Sequence, residues 1–372
     1  MTGGLRGHLE RRRRVVLKVG SAVLASAPTT IASLADDIVG VTEGRRRVVV
    51  VSSGAIAFGM ARLGMRRRPR SMPALQAAAA AGQGDLLQRW SEAFAHHGRP
   101  IGQVLLSHAD LSNRGRTNNA RATLTELLGR GAVPIINEND AVATDEIRFG
   151  DNDELAAMVT PLCDGDLLVL LSDVAGVVDA AGRRVTDATD VEALLPLVRP
   201  ARSGGVGRGG MASKLEAARR ASLAGADVVI AAASTPRVLS RVLGGEDLGT
   251  LVTARRRPLS GRKHWIAYTL RPRGAAWVDE GAARAITQQG RSVLSVGVFG
   301  IRGRFDAGDM IAVLDRHGGE LARGLARMSS QEAARRCGQR DDSGFGPLIH
   351  RDDLVVTVSS PRDAEASCDG PG

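Results

Sequence analysis

Five short apolar runs, at residues 15–19, 48–51, 133–136, 167–171 and 228–232, each break off into a polar or glycine-containing turn. Runs without polar alternation belong to strands buried on both faces, and the segments between them carry helical spacing. Strands that alternate with helices pair in parallel through right-handed crossovers, with helices on both sides of the sheet. The predicted fold is therefore α/β, a three-layer α/β/α sandwich on a mainly parallel sheet. Ligands bind such sheets in the crevice outside the carboxyl ends of the strands. The turns at the ends of these runs are therefore where function should be sought.

The first run contains one charge, Lys18, and leads into Gly20-Ser21. The second ends in Ser52-Ser53-Gly54-Ala55, where backbone amides at a helix start can hold an anion. The third opens into Asn137-Glu138-Asn139-Asp140, a cluster too polar to continue inside a core, and Asp151-Asn152-Asp153 stands before the helical residues 155–159. Read alone, these two clusters are as well explained by a turn and a helix cap as by a site facing one crevice. The fourth run ends in Ser172-Asp173. A glycine-rich loop, 203–214, opens a helix over 212–224; it is not a Walker A loop, since Lys214 comes after Gly-Gly-Met-Ala-Ser and no strand enters it directly. Arg66-Arg67-Arg68-Pro69-Arg70, before an alanine-rich helix at 74–95, reads as solvated surface, with a lid as the minority reading.

Composition sharpens this. The net charge of +10 falls entirely in residues 1–265, because the remainder balances 14 arginines against 14 acidic residues, and a basic excess there suits anionic substrates. Of the 50 basic residues only Lys18, Lys214 and Lys263 are lysine, which marks positions where a compact ammonium is preferred to a planar fork. Two of the three stand at strand-end or glycine turns. Glycine amides around phosphates, lysines to neutralise the moving group and a carboxylate to orient them are what phosphoryl transfer requires. No segment is long and apolar enough for a membrane span, the N-terminal stretch lacks the apolar run of a signal peptide, and the three cysteines (Cys163, Cys337, Cys368) have no metal-type spacing. A cytoplasmic protein with unpaired thiols is expected.

At these residues the chain resembles the glutamate 5-kinases of the amino acid kinase family. The likeness is carried by Lys18-Val19-Gly20-Ser21, Ser52-Ser53-Gly54-Ala55-Ile56, the run Asn137 to Ala143, Gly150-Asp151-Asn152-Asp153, and Gly209-Gly210-Met211 with Lys214. The resemblance implies transfer of the terminal phosphoryl of ATP, with Mg2+, to the side-chain carboxylate of L-glutamate, the first step of proline biosynthesis. It implies substrate binding by Ser53, Asp140 and Asn152, and charge neutralisation by Lys18 and Lys214, both held by Asp153. ATP contacts would come from Lys18, Gly20, Ser21, Ser172, Asp173 and the loop Arg208, Gly209, Gly210, Met211, Ala212, Ser213 and Lys214. Proline as a feedback inhibitor, glutamyl phosphate reductase as a partner and a homo-oligomeric assembly belong to the same expectation. Ala22 and Arg208 depart from the family pattern, which has a second hydroxyl and a threonine there, so ATP binding differs in detail. The loop after Asp173 also looks shorter than the family's.

The catalytic domain is assigned to 1–258 and a linker to 259–273. Residues 274–355 resemble a PUA domain through Val278-Asp279-Glu280-Gly281-Ala282 and Phe305-Asp306-Ala307-Gly308-Asp309, on a small barrel-like pattern of strands, and 359–372 is expected to be a disordered tail. RNA is an unfavoured partner for a neutral domain with few aromatics. Two rival readings are a related kinase for aspartate, acetylglutamate or carbamate, and an RNA-binding module with a decayed catalytic domain. The first is separated by the two Asn/Asp clusters, which suit a free amino group, and the second by ATP turnover.

Overall fold

The computed structural model describes residues 6–26, 29–142, 152–198, 210–255, 258–340 and 346–357. The chain divides into two compact units, Met1–Pro258 and Leu259–Gly372.

In the first unit the apolar runs become strands β1 (Arg14–Val19), β2 (Arg47–Ser52), β4 (Val133–Glu138), β5 (Leu167–Ser172) and β7 (Asp227–Ala232), joined by β3 (Ile101–Leu106), β6 (Asp187–Ala188) and β8 (Thr250–Val252). The order is β3-β4-β2-β1-β5-β7-β8-β6. Every pairing from β3 to β7 is parallel, and only β7–β8 is antiparallel. Pro134 is tolerated inside β4 because the ladder with β2 is made by Ile135 and Ile136, so the missing N–H interrupts nothing there.

The helices are α1 (Ser21–Ser26), α2 (Thr30–Thr42), α3 (Ala55–Arg62), α4 (Met72–Ala95), α5 (His108–Ser112), α6 (Arg114–Gly129), α7 (Asn152–Leu162), α8 (Met211–Leu223) and α9 (Val238–Leu243). Alternation along β1 sorts them into layers. Val15, Leu17 and Val19 share a core with Leu34 and Ile38 of α2, Trp90 and Phe94 of α4, and Leu239 of α9. Val16 belongs to the opposite core, with Leu124 of α6, Val159 of α7 and Leu215 of α8. Lys18 has the parity of Val16, so its side chain leaves the sheet on the α7–α8 side.

The second unit holds α10 (Gly261–Tyr268), β9 (Gly274–Val278), α11 (Glu280–Gln289), β10 (Val298–Gly303), β11 (Met310–Leu314), β12 (Glu320–Leu325), α12 (Ser330–Arg336) and β13 (Leu354–Val356). Its strands form one sheet in the order β10-β9-β11-β12-β13. The stretch 259–273, expected to be a linker, instead contains α10. The Arg323 guanidinium donates to the Ala267 carbonyl at 2.9 Å, and Arg262 pairs with Asp353 at 2.6 Å, so this helix is part of the second unit. The two PUA-like motifs have structural roles here: Asp279 caps α11 by accepting from the Ala282 N–H at 2.7 Å, and Phe305 is buried. The expected tail, 359–372, lies outside the described residues. No helix among the described residues is long and apolar enough to cross a membrane.

Candidate active site

The carboxylate of Asp153 has no exposed surface. It is the second residue of α7, where the positive end of the helix dipole favours an anion. Lys18 reaches it from β1, Nζ to Oδ1 at 2.5 Å. Lys214 reaches it from the first turn of α8, Nζ to Oδ2 at 3.0 Å. Ser213 donates to the same Oδ2 at 3.2 Å. Both lysines are buried.

Two buried ammoniums share one carboxylate at the point where two helices begin. A lysine in the first turn of α8 also opposes its own helix dipole, so Asp153 stabilises it and an incoming anion would complete the balance. Gly20 flanks the cluster: a Cβ built there would point at the Lys18 ammonium from 3.7 Å, and a larger side chain would grow across it. Ser21 is exposed at the start of α1 and Ala22 is exposed beside it.

A second group forms around Asn152. Its Nδ2 donates to the Ser52 carbonyl at 2.9 Å and to Asn137 Oδ1 at 2.8 Å, while Asn137 Nδ2 donates to Gln83 Oε1 at 2.8 Å. Ser52 is held in turn by the Trp90 indole, 3.0 Å from its Oγ. Ser53, next in the chain, donates its N–H to the Val19 carbonyl at 3.0 Å and leads into Gly54, whose φ of +112° opens α3. The ends of β1, β2 and β4 and the start of α7 are thus fastened together around Asn152-Asp153. Asp140, two residues beyond β4, has its carboxyl pushed up to about 6 by burial, against the opposing charge of Arg68 in the basic loop.

At the end of β5 the Ser172 hydroxyl donates to Asp173 Oδ1 at 3.0 Å, and Asp173 is exposed. Gly210 caps α8, and Met211, Ala212, Ser213 and Lys214 form its first turn. Arg208 and Gly209 lie outside the described residues, as do Gly150 and Asp151. The structure therefore joins Lys18, Asp153, Ser213 and Lys214 directly, joins Asn152 to Asn137 and Ser52, and places Ser53, Asp140, Ser172 and Asp173 at neighbouring strand ends. Sequence reasoning missed Gln83. It lies 54 positions before Asn137, inside an alanine-rich helix, and no local pattern marks it.

Burial pushes the Cys163 thiol up to about 12, which leaves it inert, and the Cys337 thiol is raised by the same cause. Among the described residues no group of three or more His, Cys, Asp or Glu side chains could hold a metal ion.

The model of the amino acid kinase family matches residues 13–232, and that of the PUA domain matches residues 274–343. A glutamate 5-kinase of Nitrosococcus oceani is 43% identical, over 95% of this chain and 100% of that one. One of Thioalkalivibrio sulfidiphilus is 45% identical over 94% and 99%, and one of Caulobacter vibrioides 45% over 96% and 100%. With a family model covering more than half of the chain and relatives aligned from end to end, the chain belongs to the amino acid kinase family, in its glutamate 5-kinase branch with a C-terminal PUA domain.

Proposed function

We propose that the chain transfers the terminal phosphoryl group of ATP to the side-chain carboxylate of L-glutamate, forming L-glutamyl 5-phosphate and ADP at the first step of proline biosynthesis. The observation that carries this reading is the buried Asp153 carboxylate shared by Lys18 and Lys214. In the transfer, a carboxylate oxygen of the acid attacks the terminal phosphorus, the bond to the bridging oxygen breaks, and that oxygen leaves on ADP. Charge spreads over the transferred group and the leaving oxygen, where fixed ammoniums stabilise the transition state most. Lys18 and Lys214 are those ammoniums. Asp153 fixes their spacing.

On the acid side Ser53, Asp140 and Asn152 hold the substrate; on the nucleotide side Gly20, Ser21, Ser172, Asp173 and residues 208–214 line the ATP site. Asp153 has both oxygens occupied by ammoniums, so a magnesium ion would be brought by the nucleotide rather than held by this carboxylate, and it would supply further positive charge for the transfer. Proline feedback, pairing with glutamyl phosphate reductase, self-association and a cytoplasmic location complete the proposal, and the first is read by titrating proline into the assay.

ADP release with glutamate, aspartate and acetylglutamate tests the reading. Glutamate should exceed the other two by a wide margin; equal or greater release with either of them would reassign the substrate.

A further inference from the structure

The Asn152 amide commits both of its hydrogens inside the protein, one to the Ser52 carbonyl and one to Asn137 Oδ1. A main-chain carbonyl only accepts, so this end of the series cannot be reversed. The direction then passes outward: Asn152 donates to Asn137, Asn137 donates to Gln83, and Gln83 Oε1 is the terminal acceptor. What Asn152 retains for a ligand is therefore its oxygen. Gln83 is half-buried, whereas Asn137 and Asn152 are buried, so the inner amides have little water to replace a lost partner.

The height of Gln83 is fixed as well. Its neighbour Gly82 packs backbone to backbone on α3, where a Cβ would fall 2.0 Å from the Ala55 carbonyl oxygen. Helix α4 thus cannot slide without opening that contact, and α3 begins at the Ser53-Gly54 turn beside Asn152.

We infer that Gln83 is a positioning residue for the acid substrate: through Asn137 it holds the Asn152 amide with the oxygen toward the ligand, so that the site favours an acid carrying a free ammonium group. This deepens the kinase reading and rests on it. Without an acceptor at residue 83, the Asn137 amide can turn over and set its NH2 against that of Asn152, so that the Ser52 carbonyl alone holds the Asn152 amide and its oxygen is presented less firmly to the substrate.

Steady-state kinetics of Gln83→Met and Gln83→Glu test this, using whichever of glutamate, aspartate or acetylglutamate the wild-type chain turns over fastest. Methionine keeps the length and removes the acceptor; glutamate keeps an acceptor oxygen. Gln83→Met should raise KM for the acid about tenfold while kcat and KM for ATP stay within about twofold, and Gln83→Glu should stay within about twofold on all three. Equal effects of the two variants, or acid and ATP constants rising together, would overturn the assignment while leaving the kinase reading intact. A wild-type chain inactive with all three acids would sink both.

Discussion

At the scale of single residues, the lysines at Asp153 separate charge from shape. Each ammonium fits a buried slot beside one carboxylate oxygen, and a guanidinium is wider and planar. Lys18→Arg and Lys214→Arg should each lose most of their turnover although the charge is kept, since misplacing a catalytic group by about 1 Å can cost on the order of a hundredfold. Lys263→Arg, in α10 of the other unit, is the control and should be neutral. Turnover near wild type for both site variants would remove them from the transferred group. Asp140 gives a second test through pH. Its carboxyl titrates at about 6 instead of 3.8 because burial disfavours the charge, and only the ionised form can pair with an ammonium. KM for the acid should therefore fall as pH rises through about 6, and Asp140→Asn should flatten that profile while raising KM. The linkage has the opposite sign for folding. Between 3.8 and about 6 the folded state holds a proton that the unfolded state has released, so this residue's contribution to stability declines as pH rises across that window.

At the scale of elements, the strands of the sheet's centre were legible because short unbroken apolar runs bounded by turns leave little choice, and the polar clusters at their ends were legible as clusters. Asn137 and Asn152, which the sequence left equally open to a turn and a helix cap or to one shared crevice, are hydrogen-bonded at 2.8 Å. The short strands β6 and β8 have two and three residues, too few to show a period. Helix α3 was absorbed into the reading of its N-terminal turn, and its contact with α4 depends on Gly59 and Gly82, which only the folded chain brings together. A Cβ at Gly59 would lie 1.6 Å from the Ala78 carbonyl oxygen, and one at Gly82 2.0 Å from that of Ala55. Alanine favours a helix over glycine by about 1 kcal/mol, but a clash with backbone cannot rotate away and forces the helices apart. Gly82→Ala should therefore destabilise the first unit by about 1–3 kcal/mol despite its better propensity. Gly84, two residues on in the same helix, is exposed with nothing within 4 Å of its built Cβ, and Gly84→Ala should stabilise by about 0.5–1 kcal/mol. Urea denaturation of both variants decides it, and a shift of the same sign in the two would refute the contact argument.

At the scale of the whole molecule, the first unit fastens its own far edge before the chain leaves it. Arg6 is 4% exposed, and its guanidinium reaches the carbonyls of Thr186, Leu248 and Gly249 and the carboxylate of Asp187. Asp227, 1% exposed, accepts from Arg12 at 2.6 Å and from the Ala254 N–H at 2.8 Å, and meets the His8 ring at 3.0 Å. The segment before β1 and the segment after β8 are thereby locked to the β7–β8–β6 side of the sheet by residues within Met1–Pro258. The lysines, Asp153 and the Asn152 series all lie in that unit, and α10, formed from the expected linker, packs within the other. A chain ending at Pro258 should accordingly fold and release ADP with glutamate at a rate comparable to the full chain, and the loss should fall on regulation or assembly. Arg6→Ala should lower the melting temperature of both forms, because three carbonyls, that of Gly249 buried, lose their shared donor at once. Circular dichroism and the ADP assay on the shortened chain check the division of labour. A native spectrum with no activity would mean that the PUA unit supplies something the lysine centre needs.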